Sequence, residues 1–387
     1  MPAEAPPIAP APCSIPLREE IGAKGGQAPV LRRVAIVLFN LGGPDCPEAI
    51  RPFLRNLFSD PAILRVPFFI RPFLARRIAQ RRLGPATANY ALLGGKSPLL
   101  DMTRDQASAL AAALPEIEAR CFIAMRYWHP FSREVARAVK VWEPDEVVLL
   151  PLYPQFSTTT TGSSLTVWRE EAARAGLVAP VSTLCCWPDD GAFATATAAR
   201  IDVAWRAART TLGPAQSLRV LFSAHGLPEA IVKAGDPYQG QVERTVRAVL
   251  AAWAAAGGPA SDLDWAICYQ SRATAQKWLD PSTDHEIERA ARDKAAVLVV
   301  PIAFVSEHSE TLVELDVEYL QLAERLGVPG YFRVPTQNND AAFIAALADL
   351  VRRARAWGPG LCSFAGGRTC PPESTGCPFH THAAGLR

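Results

Sequence analysis

The sequence predicts an α/β protein built from two similar domains, each a parallel sheet flanked by helices. Short apolar runs alternate with Ala-rich segments of helical spacing, which is the pattern of parallel sheets covered on both faces. The two halves also echo each other: RVAIVLFNLGGP resembles RVLFSAHGLP, and DEVVLLPLYPQFS resembles AAVLVVPIAFVSEHS. We therefore expect the active residues to collect where the carboxyl ends of the strands in both halves face a shared cleft.

The elements follow one another along the whole chain. The predicted strands are 33–39, 121–125, 146–152, 219–223, 264–269 and 297–305, and the segments with helical spacing include 104–113, 132–140, 191–209, 241–255 and 340–356. They divide the chain into an N-terminal α/β domain over 31–190 and a C-terminal α/β domain over 191–357. A Pro/Ala-rich leader over 1–30, expected to be disordered, precedes them, and a Cys-containing tail over 358–387 follows.

Composition narrows the function classes. The chain has 387 residues, is 49% hydrophobic and 20% charged, and carries a formal charge of +2, which gives no reason to expect a nucleic-acid partner. The leader lacks the basic start and apolar core of a secretory signal, so we expect a cytoplasmic protein. Nine cysteines in such a chain indicate reduced thiols or metal ligands rather than a disulfide framework.

The segment 61–100 has an unusual charge distribution. It contains no Asp or Glu, but it has six Arg and one Lys interleaved with Phe and Ile, and 73–82 can form a basic amphipathic helix. One interpretation is an ordinary helix packed on the core. The other is a basic apolar lip that lies on an anionic bilayer, where apolar insertion adds to the attraction of Arg. We refer to 61–100 as the lip.

The stretch 297–319, VLVVPIAFVSEHSETLVELDVEY, has the most concentrated chemistry. A buried strand runs into possible helix caps at Ser306 or Ser309 and then into Glu310, Glu314 and Glu318. Carboxylates four residues apart form a file along one helix face, and a π-helix would align them better still. The file is either a solvated acidic face or a path for a cation, and His308 beside Glu310 at the end of a strand favours the path.

Further polar turns follow the other strands. NLGGP (40–44) allows close approach of a ligand to the backbone, although a tight turn explains it equally well. RYWHP (126–130) places a cation beside flat rings, which suits an aromatic ligand that carries carboxylates. YPQFSTTTTGSS (153–164) is hydroxyl-rich, and His225 in SAHGLP follows the first strand of the second half. A soft metal ligand, a carboxylate file and aromatic walls suit the insertion of a divalent cation into a planar macrocycle.

The motifs together resemble the ferrochelatase family, in its bacterial form with a cysteine-containing C-terminal tail. LFNLGGP, GGKSPL, RYWHP, YPQFSTTTTGSS, LFSAHGLP, GDPY, YQS and PIAFVSEHSETLVELDVEY match in order over about 33–355. The resemblance implies two similar Rossmann-like domains of the chelatase type. It also implies the last step of protohaem synthesis, in which Fe²⁺ enters protoporphyrin IX and two protons leave.

The resemblance also implies roles for particular residues. His225 and Glu310 correspond to the catalytic pair, which also contacts the metal. Glu314, Glu318, His308 and Tyr153 correspond to the metal or proton path, and Leu41, Arg126 and Tyr127 correspond to porphyrin-binding positions. Coproporphyrin as substrate, a cobalt chelatase of corrinoid synthesis, and a two-domain binding protein for metal or tetrapyrrole are the alternatives. The oligomeric state is left open.

The tail cysteines form a separate hypothesis. Some family members carry a [2Fe–2S] cluster on such a tail, and a cluster of this kind needs four thiolates. The resemblance suggests Cys362, Cys370 and Cys377 as ligands, with Cys186 or its neighbour Cys185 as the fourth, because threonines and serines occupy the stretch that supplies the fourth ligand in animal members. A zinc site or a disordered tail with incidental thiols are the alternatives.

Overall fold

The computed structural model describes residues 31–380, apart from 260–261 and 273–275. The predicted leader 1–30 and the last part of the predicted tail, 381–387, lie outside the described residues. In the described part, strands alternate with helices and pair in parallel in two sheets, which confirms the predicted α/β class. None of the described helices has both the length and the apolar composition needed to cross a membrane.

The first sheet has the order β2-β1-β3-β4-β9, and the second has the order β6-β5-β7-β8. The strands are β1 (Arg33–Asn40), β2 (Glu118–Met125), β3 (Glu146–Pro151), β4 (Val181–Leu184), β5 (Leu218–His225), β6 (Trp265–Gln270), β7 (Ala296–Pro301), β8 (Tyr331–Arg333) and β9 (Gly360–Cys362). The short strands β4, β8 and β9 were not predicted, because three or four residues carry too little apolar pattern.

Helices cover both faces of each sheet. The helices of the described residues are α1 (Ile50–Ser59), α2 (Arg71–Leu92), α3 (Leu99–Ala112), α4 (Ser132–Trp142), α5 (Thr161–Ala175), α6 (Gly191–Leu212), α7 (Glu229–Lys233), α8 (Tyr238–Ala255), α9 (Thr283–Arg292), a π-helix (Glu310–Glu318), α10 (Tyr319–Arg325) and α11 (Ala341–Trp357). Apolar side chains of β1 and β3 pack on α3 and α11 on one face and on α4 and α5 on the other. The second sheet packs on α6 and α8 on one face and on α9 and α10 on the other.

The central strands of the second sheet bring two predicted motifs together. β5 ends at His225, and β7, hydrogen-bonded beside it, ends at Pro301. The strand was predicted over 297–305, but it ends at Pro301 because the chain leaves the sheet after this proline. It then enters the π-helix with Ser309 at its cap position, while the Ser306 hydroxyl bonds to Gln106.

The described tail returns to both halves of the molecule. β9 adds an edge strand to the first sheet beside β4. The tail then reaches the second half, where the amide of Gly376 donates to the carbonyl of Gly235 at 2.9 Å and Arg244 donates to the carbonyl of Thr369 at 3.0 Å. The tail cysteines Cys362, Cys370 and Cys377 are consequently buried rather than exposed to solvent.

Candidate active site

His225 occupies the carboxyl end of β5. Its Nδ1 atom lies 2.6 Å from the carbonyl oxygen of Gly226, and because a carbonyl only accepts, Nδ1 carries the proton. In the neutral ring the lone pair is therefore on Nε2, which faces Oε1 of Glu310 at 3.6 Å. A Cβ atom at Gly226 would lie 2.7 Å from the carbonyl oxygen of Gln270, so the glycine lets this turn pack tightly.

Glu310 lies between two imidazoles. His225 faces one carboxylate oxygen, and Nε2 of His308 faces the other at 3.4 Å. Burial alone would raise the pKa of Glu310, but attraction by His225 in its protonated form and the hydrogen bond and charge of His308 outweigh it and lower the pKa to about 2. Glu310 is therefore ionised at neutral pH, so the site holds a fixed negative charge beside two soft nitrogen donors.

His308 is almost fully buried. Its Nδ1 lies 3.1 Å from the carbonyl oxygen of Ser306, which fixes this nitrogen as a donor. Burial opposes protonation, but the hydrogen bond to Glu310 and its charge raise the pKa of His308 above the ordinary value of 6.5. The structure thus brings together His225, Glu310 and His308, which the sequence predicted as neighbours in function.

Glu314 has a different environment from Glu310 one turn earlier. Its carboxylate accepts the amide of Ser271 at 2.8 Å, the side-chain amide of Gln270 at 2.9 Å and the hydroxyl of Ser271. Burial, followed by repulsion from Glu310, raises the pKa of Glu314 in spite of these donors. The two carboxylates therefore differ in proton affinity: Glu310 is anionic, and Glu314 takes a proton more readily than an ordinary glutamate.

Glu318 ends the file at the surface. It is exposed and accepts the side-chain amide of Asn89 at 3.2 Å. The three carboxylates lie on a π-helix, as the spacing suggested, so that residues four apart align along one face. The file therefore runs from a half-buried end beside His225 to a solvated end beside α2.

Three neighbours of this site come from positions that sequence reasoning missed. Tyr90 of α2 is buried with its hydroxyl near Ser309 and Glu310, and burial raises the pKa of Tyr90 to about 12. Ser271 and Gln270 belong to the YQS motif, which was used only to find the resemblance. Nothing in the sequence alone indicated that these residues contact the carboxylate file, because the partners are more than 40 residues apart.

Arg126 and Tyr127 converge on Asp60, another residue that was not singled out. Arg126 forms an ion pair with Asp60 at 2.7 Å and donates to the hydroxyl of Ser163 at 2.7 Å, and the Tyr127 hydroxyl donates to Asp60 at 2.8 Å. This arrangement borders a cavity of about 330 Å³. Tyr153 is nearby, and burial raises the pKa of its phenol. Leu41 packs on the apolar cluster between α1 and α2.

The described cysteines include five buried thiols near the tail. The Sγ atoms of Cys185 and Cys186 are 3.5 Å apart, and Cys370 accepts the side-chain amide of Gln241 at 3.2 Å. A hydrogen bond from Cys370 lowers the pKa of Cys377 to about 6. The hydrogen bond to Cys186 and burial raise the pKa of Cys185, and the charges of Cys377 and Cys370 add to the increase. The Cys362 thiol contacts the carbonyl of Thr183 at 3.5 Å. Within the described residues no three His, Cys, Asp or Glu side chains already form a metal-holding group.

The sequence comparisons with known proteins indicate one family. The sequence model described as Ferrochelatase matches residues 33–355. The chain is 51% identical to a ferrochelatase of Caulobacter vibrioides over 357 residues, which cover 91% of this chain and 99% of that protein. It is 49% identical to a ferrochelatase of Phenylobacterium zucineum over 346 residues, covering 87% of this chain and 97% of that protein. Because the model matches strands β1 to β8 together with His225, His308 and the carboxylate file, and the relatives cover most of the chain, the chain belongs to the ferrochelatase family.

Proposed function

We propose that this protein inserts Fe²⁺ into protoporphyrin IX to form protohaem and releases two protons. The observation that carries the proposal is the position of the Glu310 carboxylate, which lies 3.6 Å from the imidazole of His225 and 3.4 Å from that of His308 at the inner end of a carboxylate file. The lowered pKa of Glu310 supports it. Chelation needs a proton acceptor and an attraction for a divalent cation in one place, and this arrangement supplies both.

Proton removal is the role of His225. Since its Nδ1–H donates to the Gly226 carbonyl, Nε2 is free to accept a proton from a pyrrole nitrogen of the bound ring. The imidazolium that results is stabilised by the Glu310 carboxylate 3.6 Å away. Glu314, with its raised pKa, is suited to take up protons and pass them toward Glu318 and solvent. The second pyrrole proton follows the same route once His225 has been deprotonated.

Iron is the second substrate. The ionised Glu310 attracts Fe²⁺ into the site, and neutral imidazole is a common ligand for this ion. The file Glu318, Glu314 and Glu310 gives the cation a continuous set of oxygen donors from the surface inward. A planar porphyrin must buckle before its nitrogens face an incoming ion, and distortion of this kind costs about 1–5 kcal/mol. We assign Leu41, Arg126 and Tyr127 to the walls that hold the ring, with Asp60 fixing Arg126.

The proposal is tested by supplying the purified protein with Fe²⁺ in the absence of oxygen and following the Soret band of the porphyrin. Protoporphyrin IX should be metallated fastest. Faster turnover of coproporphyrin, or insertion of Co²⁺ into a corrinoid precursor instead, would replace the proposed substrate. Tight binding of porphyrin or iron without any metallation would support the alternative of a binding protein.

We also propose that the lip contacts the cytoplasmic face of the inner membrane. Phe68, Phe69 and Phe73 are exposed by 79%, 69% and 68% of their surface, and α2 buries only Ala75, Ala79 and Tyr90. Exposed aromatic rings next to Arg76 and Arg77 have the combination that suits an anionic bilayer. Because Asn89 of the same helix bonds to Glu318 and the Tyr90 hydroxyl lies beside Ser309, a porphyrin taken from the membrane would arrive beside the site.

A [2Fe–2S] cluster bound by the tail cysteines is a further part of this proposal. The donor chemistry fits, because Cys370, Cys377, Cys185 and Cys186 are buried close enough to influence one another's pKa, and four thiolates are the usual set. Cys362 is the other candidate, although its thiol faces the Thr183 carbonyl. When bound, such a cluster would link the tail to the first sheet and to α8; no chemical step of chelation depends on it.

A further inference from the structure

The π-helix has to be held in an uncommon geometry. A π-helix is rare and usually limited to a single turn, because its hydrogen bonds close wider rings than those of an α-helix. Here it runs for nine residues, Glu310–Glu318, and carries the three carboxylates of the file. A relaxation to α-helical winding would change the angle between these side chains around the helix axis and their spacing along it. Something outside the helix should therefore fix it.

The strand β8, at the edge of the second sheet, makes contacts with the middle of this helix. The Tyr331 hydroxyl donates to the main-chain carbonyl of Leu315 at 2.6 Å. Arg333 forms a two-pronged ion pair with Asp316, in which Nη2 and Oδ2 are 2.7 Å apart. Asp316 is two residues after Glu314, so Arg333 contacts the helix on the side away from the file.

Arg333 also holds the segment just before the helix. Its Nη1 donates to Oε1 of Glu307 at 2.9 Å, and the same oxygen accepts the amide of Thr336 at 2.9 Å. Only 11% of the Arg333 side chain and 6% of the Glu307 side chain are exposed, so this contact is shielded from solvent. Glu307 immediately precedes His308, which faces Glu310. One guanidinium thus connects the residue before the histidine to the centre of the π-helix.

We propose that Arg333 is a positioning residue that keeps His308, Glu310 and Glu314 in register by bridging Glu307 and Asp316, with Tyr331 assisting at Leu315. Arg333 touches neither iron nor porphyrin. The planar fork of arginine matches a carboxylate on two atoms and offers another donor to a second carboxylate, which a lysine cannot do. The inference rests on the proposed function, because register matters for the passage of iron and protons.

The test compares Arg333→Met with Arg219→Met. Arg219 is a suitable control because it is equally buried, with 7% of its side chain exposed, and bridges Asp264 and Asp293 at the amino end of β5, away from the site. Both variants remove a guanidinium that joins two acids. The measurements are KM for Fe²⁺, KM for protoporphyrin, kcat, and hydrogen exchange of the amides of residues 310–318.

Arg333→Met should raise KM for Fe²⁺ by on the order of 10- to 100-fold, since small displacements in a site have effects of that size. The KM for porphyrin should change less than twofold, and amide protection should fall in the π-helix. Arg219→Met should lose stability without either effect. If Arg333→Met does not fold, Arg333→Lys and Tyr331→Phe give the same readouts in a milder form, and Lys should restore only part of the iron affinity.

An unchanged KM for Fe²⁺ with unchanged protection of the π-helix would overturn the inference, and so would equal effects at Arg219. The proposed function fails separately, through absence of metallation by the wild-type protein. In that case hydrogen exchange still decides whether Arg333 fixes the helix.

Discussion

The Nε2 atom of His225 lies 3.6 Å from Oε1 of Glu310, slightly beyond hydrogen-bonding distance. The imidazole of His225 and the carboxylate of Glu310 therefore face each other without a hydrogen bond between them, which leaves both groups available to a substrate. The arrangement arises because β5 and β7 are neighbours, so the residues that follow their carboxyl ends meet at one edge of the sheet.

His225→Ala should abolish most of the chelatase activity while leaving the fold intact. A positioned general base contributes roughly 10²- to 10⁴-fold. Among the residues that the structure describes, the ring makes one hydrogen bond, to Gly226, so its loss should have little effect on stability. Steady-state kinetics and a thermal melt are the measurements, with the exposed His285→Ala as control. Activity within about threefold of wild type would remove His225 from the mechanism.

Substitution of the file carboxylates by glutamine should produce graded losses. Glu310→Gln should reduce kcat most, because only Glu310 lies between two imidazoles. Glu314→Gln should be intermediate, and Glu318→Gln mild, since Glu318 is solvated and water can replace it. Glutamine has nearly the same shape as glutamate, so kcat and KM for Fe²⁺ can be compared directly among the three variants. Equal losses at all three positions would contradict a path with a half-buried inner end.

Glu310→Gln should also lower the pKa of His308. In the wild type, the neighbouring carboxylate raises the pKa of His308 above 6.5 in spite of burial, and without that charge burial should bring it below 6.5. A raised histidine pKa stabilises the fold below pH 6.5, and this contribution disappears as the pH rises through the folded pKa. The lowered pKa of Glu310 adds stability to the fold above pH 4.5, and this stability is lost as the pH falls toward about 2.

The interaction between His308 and Glu310 therefore stabilises the fold most between pH 4.5 and 6.5. Urea unfolding should show a larger difference between wild type and Glu310→Gln at about pH 5.5 than at about pH 8.5. Proton NMR titration of the imidazoles gives the pKa of His308 directly. A His308 pKa that is unchanged in the variant would show that Glu310 does not control it.

The lip should bind anionic vesicles in a salt-sensitive way. Replacement of Arg76, Arg77, Arg81 and Arg82 by glutamine should weaken co-sedimentation, because each arginine near the surface contributes about 1 kcal/mol and is screened beyond ~8 Å at physiological salt. The double variant Arg76→Gln/Arg77→Gln has a matched control in Arg133→Gln/Arg137→Gln, which removes two exposed charges from α4. Equal binding by both double variants would return the lip to the interpretation of an ordinary helix.

The cysteines should bind a [2Fe–2S] cluster that colours the freshly isolated protein red without haem. Serine substitution at Cys370, Cys377 or Cys186 should bleach the visible absorption and remove labile sulfide. Cys185→Ser and Cys362→Ser decide the fourth ligand, because only one of them should bleach. Cys268, buried in β6, is the control. A colourless wild type isolated without oxygen, with no labile sulfide, would exclude the cluster, and stoichiometric zinc would support the zinc alternative.

The sequence by itself determined the α/β class and the six longer strands, and it predicted which side chains react. Long apolar strands and polar turns have strong local patterns, and parallel strands bring their carboxyl ends to one edge. This is why His225, His308 and Glu310 could be grouped before any geometry was known. The domain limits and the roles of these residues stay predictions.

Only the tertiary structure decided how similar residues differ in chemistry. Glu310 and Glu314 occupy equivalent places in one pattern, yet the pKa of the first falls to about 2 while that of the second rises, because imidazoles surround one and burial beside a like charge governs the other. Asp60 and Arg333 were overlooked for a related reason. Their partners are distant in the chain or lie on another element, and the electric field at a side chain depends on distance in space, which local sequence patterns do not encode.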